Sequence, residues 1–218
     1  MEIRRTANAG VLITLDGVRI LLDGVAGEVF PYSATPSSIR EELMACPPDV
    51  LAFTHSHADH FDGDFVNQLQ NSTHRPVLGP VGLPVPGLIT DGLEVGGVRL
   101  TALPSRHIGK QADGNAHVSY LIEGSRRILF TGDASPLPWQ GTGLPQADVL
   151  IATYGFGISE SGWKVAKTCD PRVVIFLHLP EKERDTFGLW EAYAGAAGKD
   201  FSVPQYTPAM GQKLTLTK

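Results

Sequence analysis

Short apolar runs, separated by glycine and proline, set the pattern of this chain. Three β-type runs open it, at residues 3–6, 11–15 and 18–22, the last two joined by Asp16-Gly17, a two-residue hairpin signal. The third ends at Asp23-Gly24, and 25–35 reads as loop. A helix is predicted over 38–44, where Ser38 and Glu41 have capping-box spacing and Cys46-Pro47-Pro48 stops the run. A buried strand over 49–54, a helix over 62–69 ended by Asn71-Ser72, and a short strand at 77–78 follow.

Residues 93–95 and 98–103 form a hairpin across Gly96-Gly97, and 109–115 is a polar loop. Residues 117–123 and 127–130 pair across Gly124-Ser125. Beyond a loop at 134–147 come a buried strand (148–153), a helix (159–169), a strand (172–177), a long helix (181–194) and a closing strand (213–217). Strands come first, then strand–helix alternation, and this order runs twice. It predicts two sheets packed face to face with helices outside, a four-layer α/β sandwich forming one domain over 1–218.

Composition narrows the function classes. Net charge is −5, and the basic residues are scattered apart from Arg4-Arg5 and Arg126-Arg127, which argues against a nucleic-acid partner. Cys46 and Cys169 form no C-x-x-C pair and read as reduced thiols. No signal-peptide pattern and no apolar run long enough for a membrane span is apparent, so a cytosolic protein with no membrane partner is the default expectation.

Chemistry concentrates in His55-Ser56-His57-Ala58-Asp59-His60, just past the strand at 49–54. The chain has only 7 histidines, and three of them share this hexapeptide with a carboxylate. Imidazole and carboxylate are ordinary ligands of zinc and related divalent metals. A strand would put 55, 57 and 59 on one face, whereas a tight loop can curl all four side chains around one point. Ligand-capable residues recur at strand ends: His107 after Leu103, Asp133 after Phe130 and His178 after Leu177. Carboxyl ends of strands are where α/β sheets build their sites.

The set His55-x-His57-x-Asp59-His60, His107, Thr131-Gly132-Asp133 and His178 resembles the metallo-β-lactamase superfamily over nearly the whole chain. The resemblance implies an αββα sandwich with a dinuclear centre of two divalent ions, usually zinc, with manganese or iron as alternatives. By that resemblance His55, His57 and His107 hold one ion, Asp59, His60 and His178 hold the other, and Asp133 bridges them. Two such ions share a water, lower its pKa toward about 7 and polarise a carbonyl or phosphoryl oxygen. Asp59 or Asp133 would shuttle the proton. Pro104-Ser105-Arg106-His107 is similar to the Ala-Arg-His version in ascorbate-phosphate lactonase-like hydrolases. The expected activity is hydrolysis of a small-molecule ester, lactone or phosphoester. Two rival readings use the same fold: a diiron redox protein, and a metal-binding member without catalysis.

Asp23 reads either as orienting a ligand histidine or as turn chemistry. Arg106 pairs with an anionic group on the substrate or forms a structural salt bridge beside the third ligand. Trp139, Tyr154 and Phe156, with Phe30 and Tyr32, are candidates to line the pocket. His117, in phase with Ser119 and Leu121, reads as a core or surface histidine, and His74 as an exposed loop residue. Specificity is expected in the loops after Asp23, Asp133 and Tyr154, which carry no readable code for the substrate. The sequence is silent on oligomeric state.

Overall fold

β1 (Glu2–Arg5), β2 (Val11–Leu15) and β3 (Val18–Leu22) form an antiparallel meander in the computed structural model, which describes residues 1–109, 116–196 and 202–217. Asp16 and Gly17 turn the second hairpin with φ of 51° and 86°, the sign that a type I′ turn needs at both positions. α1 (Ser37–Ala45), β4 (Val50–Ala52), α2 (Gly63–Thr73) and β5 (Val77–Leu78) follow, and β4 pairs in parallel with both β3 and β5.

The second sheet starts with β6 (Gly92–Val95), β7 (Val98–Ser105), β8 (His117–Glu123) and β9 (Arg127–Phe130), an antiparallel run. β10 (Val149–Thr153), α3 (Tyr154–Gly157), α4 (Glu160–Thr168), β11 (Val173–Leu177), α5 (Leu189–Ala196), β12 (Gln205–Tyr206) and β13 (Lys213–Thr215) complete the order. The sheets run β13-β1-β2-β3-β4-β5 and β12-β11-β10-β9-β8-β7-β6. The chain thus closes by returning β13 to the edge of the first sheet.

Strand alternation decides what each face buries. Val11, Ile13, Ile20, Val50, Ile151, Ile175 and Leu177 point between the sheets into one core. Their neighbours Leu12, Leu21 and Leu51 point outward onto Ile39 and Leu43 of α1 and Val66 and Leu69 of α2. On the far side, Leu150, Val174 and Phe176 pack under Trp163, Val165 and Ala166 of α4. Because both faces of the central strands are covered, they read as continuous apolar runs. The architecture is the expected αββα sandwich.

Several local expectations are corrected. Ser38 does not cap α1: the helix starts one residue earlier, Pro36 is the capping position, and no side chain bonds there. α2 runs past Asn71-Ser72 because the hydroxyls of Ser72 and Thr73 fold back onto the Leu69 carbonyl, and His74 ends it at φ 54°. The long helix predicted over 181–194 is broken. A single 3-10 turn, Lys182–Arg184, is followed by Asp185, whose carboxylate accepts from the amides of Leu189 and Trp190 and starts α5 afresh. Gly188 at φ 68° makes the bend. β12, with two residues, carries too little pattern to be read. The loop expected at 109–115 lies, beyond Gly109, outside the described residues.

Candidate metal centre

The strand ends converge on one edge of the sandwich. The Tyr120 hydroxyl of β8 donates to the Phe53 carbonyl at 2.8 Å, and the Val118 amide donates to the Thr54 carbonyl at 3.0 Å. These bonds tie the second sheet to the exit of β4 just before His55. The chain then curls back, with the amides of His60 and Phe61 both donating to the His57 carbonyl at 2.9 Å. Asp62 caps α2 through the Phe65 amide at 3.1 Å, fixing the far end of the loop.

Three groups form around this loop, one of which, Asp23, His55 and His60, overlaps the other two. His55, His57 and His107 each offer an atom within 4.8 Å of the others, and Asp59, His60 and His178 do the same. Asp133 stands between them: its Oδ2 is 3.3 Å from Nε2 of both His60 and His178 and 3.7 Å from Nε2 of His107. Asp59 Oδ2 lies 3.2 Å from His178 Nε2. Gly132, at φ 52°, lets Asp133 reach in, because a Cβ there would sit 2.5 Å from the Thr54 methyl carbon.

Hydrogen bonds set the ring tautomers. Asp23, at the end of β3, accepts from the Thr54 amide at 2.7 Å and the Thr54 hydroxyl at 2.6 Å. A carboxylate only accepts, so the single hydroxyl proton of Thr54 is committed, and its oxygen takes the proton on His55 Nδ1 at 2.9 Å. Asp23 also accepts from His60 Nδ1 at 2.9 Å. His107 Nδ1 donates to the Ile108 carbonyl at 2.5 Å. In the neutral form of all three rings Nε2 is thereby the lone-pair nitrogen. Burial opposes charge on His60 and His178, but the Asp133 carboxylate beside them raises both above the ordinary histidine range, so an ion binding there displaces protons. Orienting partners of this kind accompany metal-binding histidines.

The donor set fits divalent ions. Nε2 of His60, His107 and His178 and Oδ1 of Asp133 are buried without an aligned hydrogen-bond partner. His55 Nε2 and His57 Nδ1 approach to 3.0 Å, close to the roughly 3.3 Å separation of two nitrogens on one tetrahedral zinc. Burial, and then the neighbouring imidazoles, hold His55 and His57 below the ordinary histidine range and so in the neutral ligating form. Burial alone would raise the Asp133 carboxyl, yet His178 and His60 keep it well below the usual carboxylate range.

Asp23 has the turn conformation, at φ 45°, and its carboxylate also bonds His60. The rings of Tyr32 and Tyr154 stand edge-on to His178, with centroids 4.3 and 5.3 Å away. Trp139 is half-buried and Arg106 exposed, on the chain segments beside Asp133 and His107. Phe156 is corrected: it is fully buried in the core under α4. Phe30 is 63% exposed, with the Arg184 guanidinium over its ring. His74 is exposed.

Sequence reasoning missed Thr54 as the hub joining Asp23 to His55; of the two readings of His117, core or surface, the structure shows the core one. His117 is buried in β8, with its ring against those of His55 and His107 at 5.1 and 5.7 Å. Its Nδ1 lies 2.8 Å from Ser105 Oγ, and burial, followed by the balance of neighbouring charges, pushes its pKa down to about 3. The available signal was register: β7 and β8 form a hairpin, which sets His117 opposite Ser105, two residues before His107.

No known family's sequence pattern matches the chain, and no curated protein does either. Solved structures do. Igni18, a metallo hydrolase from the archaeon Ignicoccus hospitalis, is similar with TM-score 0.67 at 16% identity, over 100% of this chain and 98% of that one. YhfI of Bacillus subtilis, a metallo-β-lactamase fold protein, is similar with TM-score 0.66 at 18% identity, over 98% of each chain. CmlA, a diiron β-hydroxylase from Streptomyces venezuelae, gives TM-score 0.59 at 18% identity over 99% of this chain and 54% of its own.

Proposed function

We propose that this chain, whose fold is that of the metallo-β-lactamases, is a metal-dependent hydrolase cleaving a small-molecule ester, lactone or phosphoester at a two-ion centre. The observation that carries the reading is Asp133 Oδ2, within 3.3–3.7 Å of ring nitrogens from both ligand groups. In this reading His55, His57 and His107 hold one ion, Asp59, His60 and His178 the other, and Asp133 is shared. Two divalent ions, zinc by preference, would supply a nucleophilic water at neutral pH and polarise the substrate oxygen.

The chain's own residues do the remaining work. Thr54, Asp23 and the Ile108 carbonyl keep the imidazoles in their ligating tautomers, so no reorganisation is needed when a substrate arrives. Asp59 is the proton carrier in this reading: it is partly exposed and lies beside His178, whereas Asp133 is buried between the two groups. The Arg106-His107 pair, with its likeness to lactonase-type sequences, supports an ester or lactone over other substrates. Two cysteines left as free thiols suit a reducing, cytosolic setting. Among the described residues no helix is long and apolar enough to cross a membrane.

A panel of chromogenic esters, lactones, phosphodiesters, thioesters and β-lactams, run with His57→Ala as control, tests the proposal. Hydrolysis abolished by that substitution supports it, and hydrolysis surviving unchanged refutes it. The likeness to CmlA keeps a diiron redox protein as the second reading. Stoichiometric iron with a visible absorption band would favour that reading, and metal bound without hydrolysis of any panel member would favour the metal-binding member without catalysis.

A further inference from the structure

The end of β7 and the segment after Asp133 flank an open surface cleft of about 410 Å³, lined by Pro104, Ser105, Arg106, Pro138, Trp139 and Thr142. Its two walls are fastened together. The Ser135 amide donates to the Arg106 carbonyl at 2.6 Å, and His107 and Ala134 form a β-bridge. The Leu137 amide donates to the Ser135 hydroxyl at 3.3 Å, which suspends the 3-10 turn Leu137–Trp139 from the chain just past Asp133. A molecule in this cleft therefore lies against the segments that carry His107 and Asp133.

Two donor-bearing side chains that line the cleft, Arg106 and Trp139, have no acceptor among the described residues. Arg4, Arg5, Arg19, Arg40, Arg75, Arg99, Arg126, Arg127, Arg172 and Arg184 each bond to an acceptor or an acid. Arg106 alone among the arginines has no such partner among the described residues. The tryptophans repeat the pattern: the Trp163 and Trp190 indoles donate to carbonyls at 2.8 Å, and Trp139 has no acceptor among the described residues. Guanidinium and indole N–H are donors only, so both are free to pair with an acceptor from outside. Pro104, Pro138 and the indole ring supply apolar wall, and among the described residues no acidic side chain lines the cleft.

We infer that this cleft binds an organic anion, a carboxylate or phosphate carried on an apolar body, with Arg106 pairing the anion and Trp139 forming the wall and a second donor. The inference rests on the hydrolase reading only in calling that anion the non-reacting end of the substrate; the binding itself does not need the metals.

The test uses the full-length, metal-loaded protein with nitrogen-15 in its tryptophans. The Trp139 indole N–H signal is assigned by its loss in Trp139→Phe. Benzoate and phenyl phosphate represent the two anion sources, and benzyl alcohol is the uncharged control. The expected result is a saturable shift of the Trp139 signal with at least one anion, at least tenfold weaker with benzyl alcohol and at least tenfold weaker in Arg106→Gln. The anion that binds more tightly identifies the source. An unmoved Trp139 signal, equal affinity in Arg106→Gln, or equal binding of benzyl alcohol overturns the inference. A protein that binds benzoate here yet hydrolyses nothing refutes the hydrolase reading alone. A working hydrolase whose Trp139 signal stays still refutes the anion site alone.

Discussion

Asp23 and His60 lie 37 residues apart in the chain and meet at 2.9 Å, both side chains fully out of solvent. The same carboxylate holds Thr54 through two further bonds. One residue at the end of β3 thus sets a ring in each candidate ligand group, His60 directly and His55 through Thr54. Asp23→Asn keeps the shape but replaces one acceptor with a donor. The affinity of the second metal position should fall about 10–100-fold, the usual effect of losing an orienting partner. Competition against a chromogenic chelator reads this, and unchanged affinity would contradict it.

Thr54→Val removes only the hydroxyl. It leaves the proton on His55 Nδ1 without an acceptor and Asp23 short of a donor in a dry site. The expected cost is about 1–3 kcal/mol in folding stability, measured by urea denaturation, with Thr54→Ser close to wild type. A valine variant as stable as the serine variant would mean that the hydroxyl is not the link.

The residues that gather at the candidate centre were legible in the sequence because they sit at or past strand ends, where a one-dimensional pattern marks position. Their partners were not. Nothing local distinguishes Thr54 from any polar residue closing a strand, and its role exists only once β3 brings Asp23 alongside. Arg106 and Trp139 face one cleft only because Ser135 folds the second segment onto the first. The sandwich itself followed from alternating runs that bury both faces. The predicted 181–194 helix failed because Asp185 is a better cap than a mid-helix residue and Gly188 favours the bend.

Asp185 gives a pH-dependent prediction. Burial slightly opposes its charge, but the amides of Trp190 and Leu189 hold its carboxyl below the ordinary range. A depressed folded-state pKa adds stability above the unfolded value near 3.9 and loses it as pH falls through the folded value. Asp185→Ala should therefore cost about 1 kcal/mol at pH 7, less below about pH 4 as the wild-type carboxylate protonates. Thermal melts across pH check this; a gap that widens in acid would be the wrong sign.

The two thiols should differ sharply. Cys46 is exposed, whereas burial pushes the Cys169 thiol up to about 12. At pH 8 a disulfide reagent such as DTNB should modify one thiol per chain quickly, and the second only in denaturant. Two fast thiols in the native protein would contradict the packing beneath α4.

The most direct test of the two-ion centre is metal stoichiometry. The protein is stripped with chelator, re-equilibrated with zinc, desalted and assayed by mass spectrometry alongside His178→Ala. Two ions per chain in the wild type, one in His178→Ala, and loss of hydrolysis with the second ion are predicted. A wild-type protein that holds no more than one ion, or a variant that keeps both, would contradict the account.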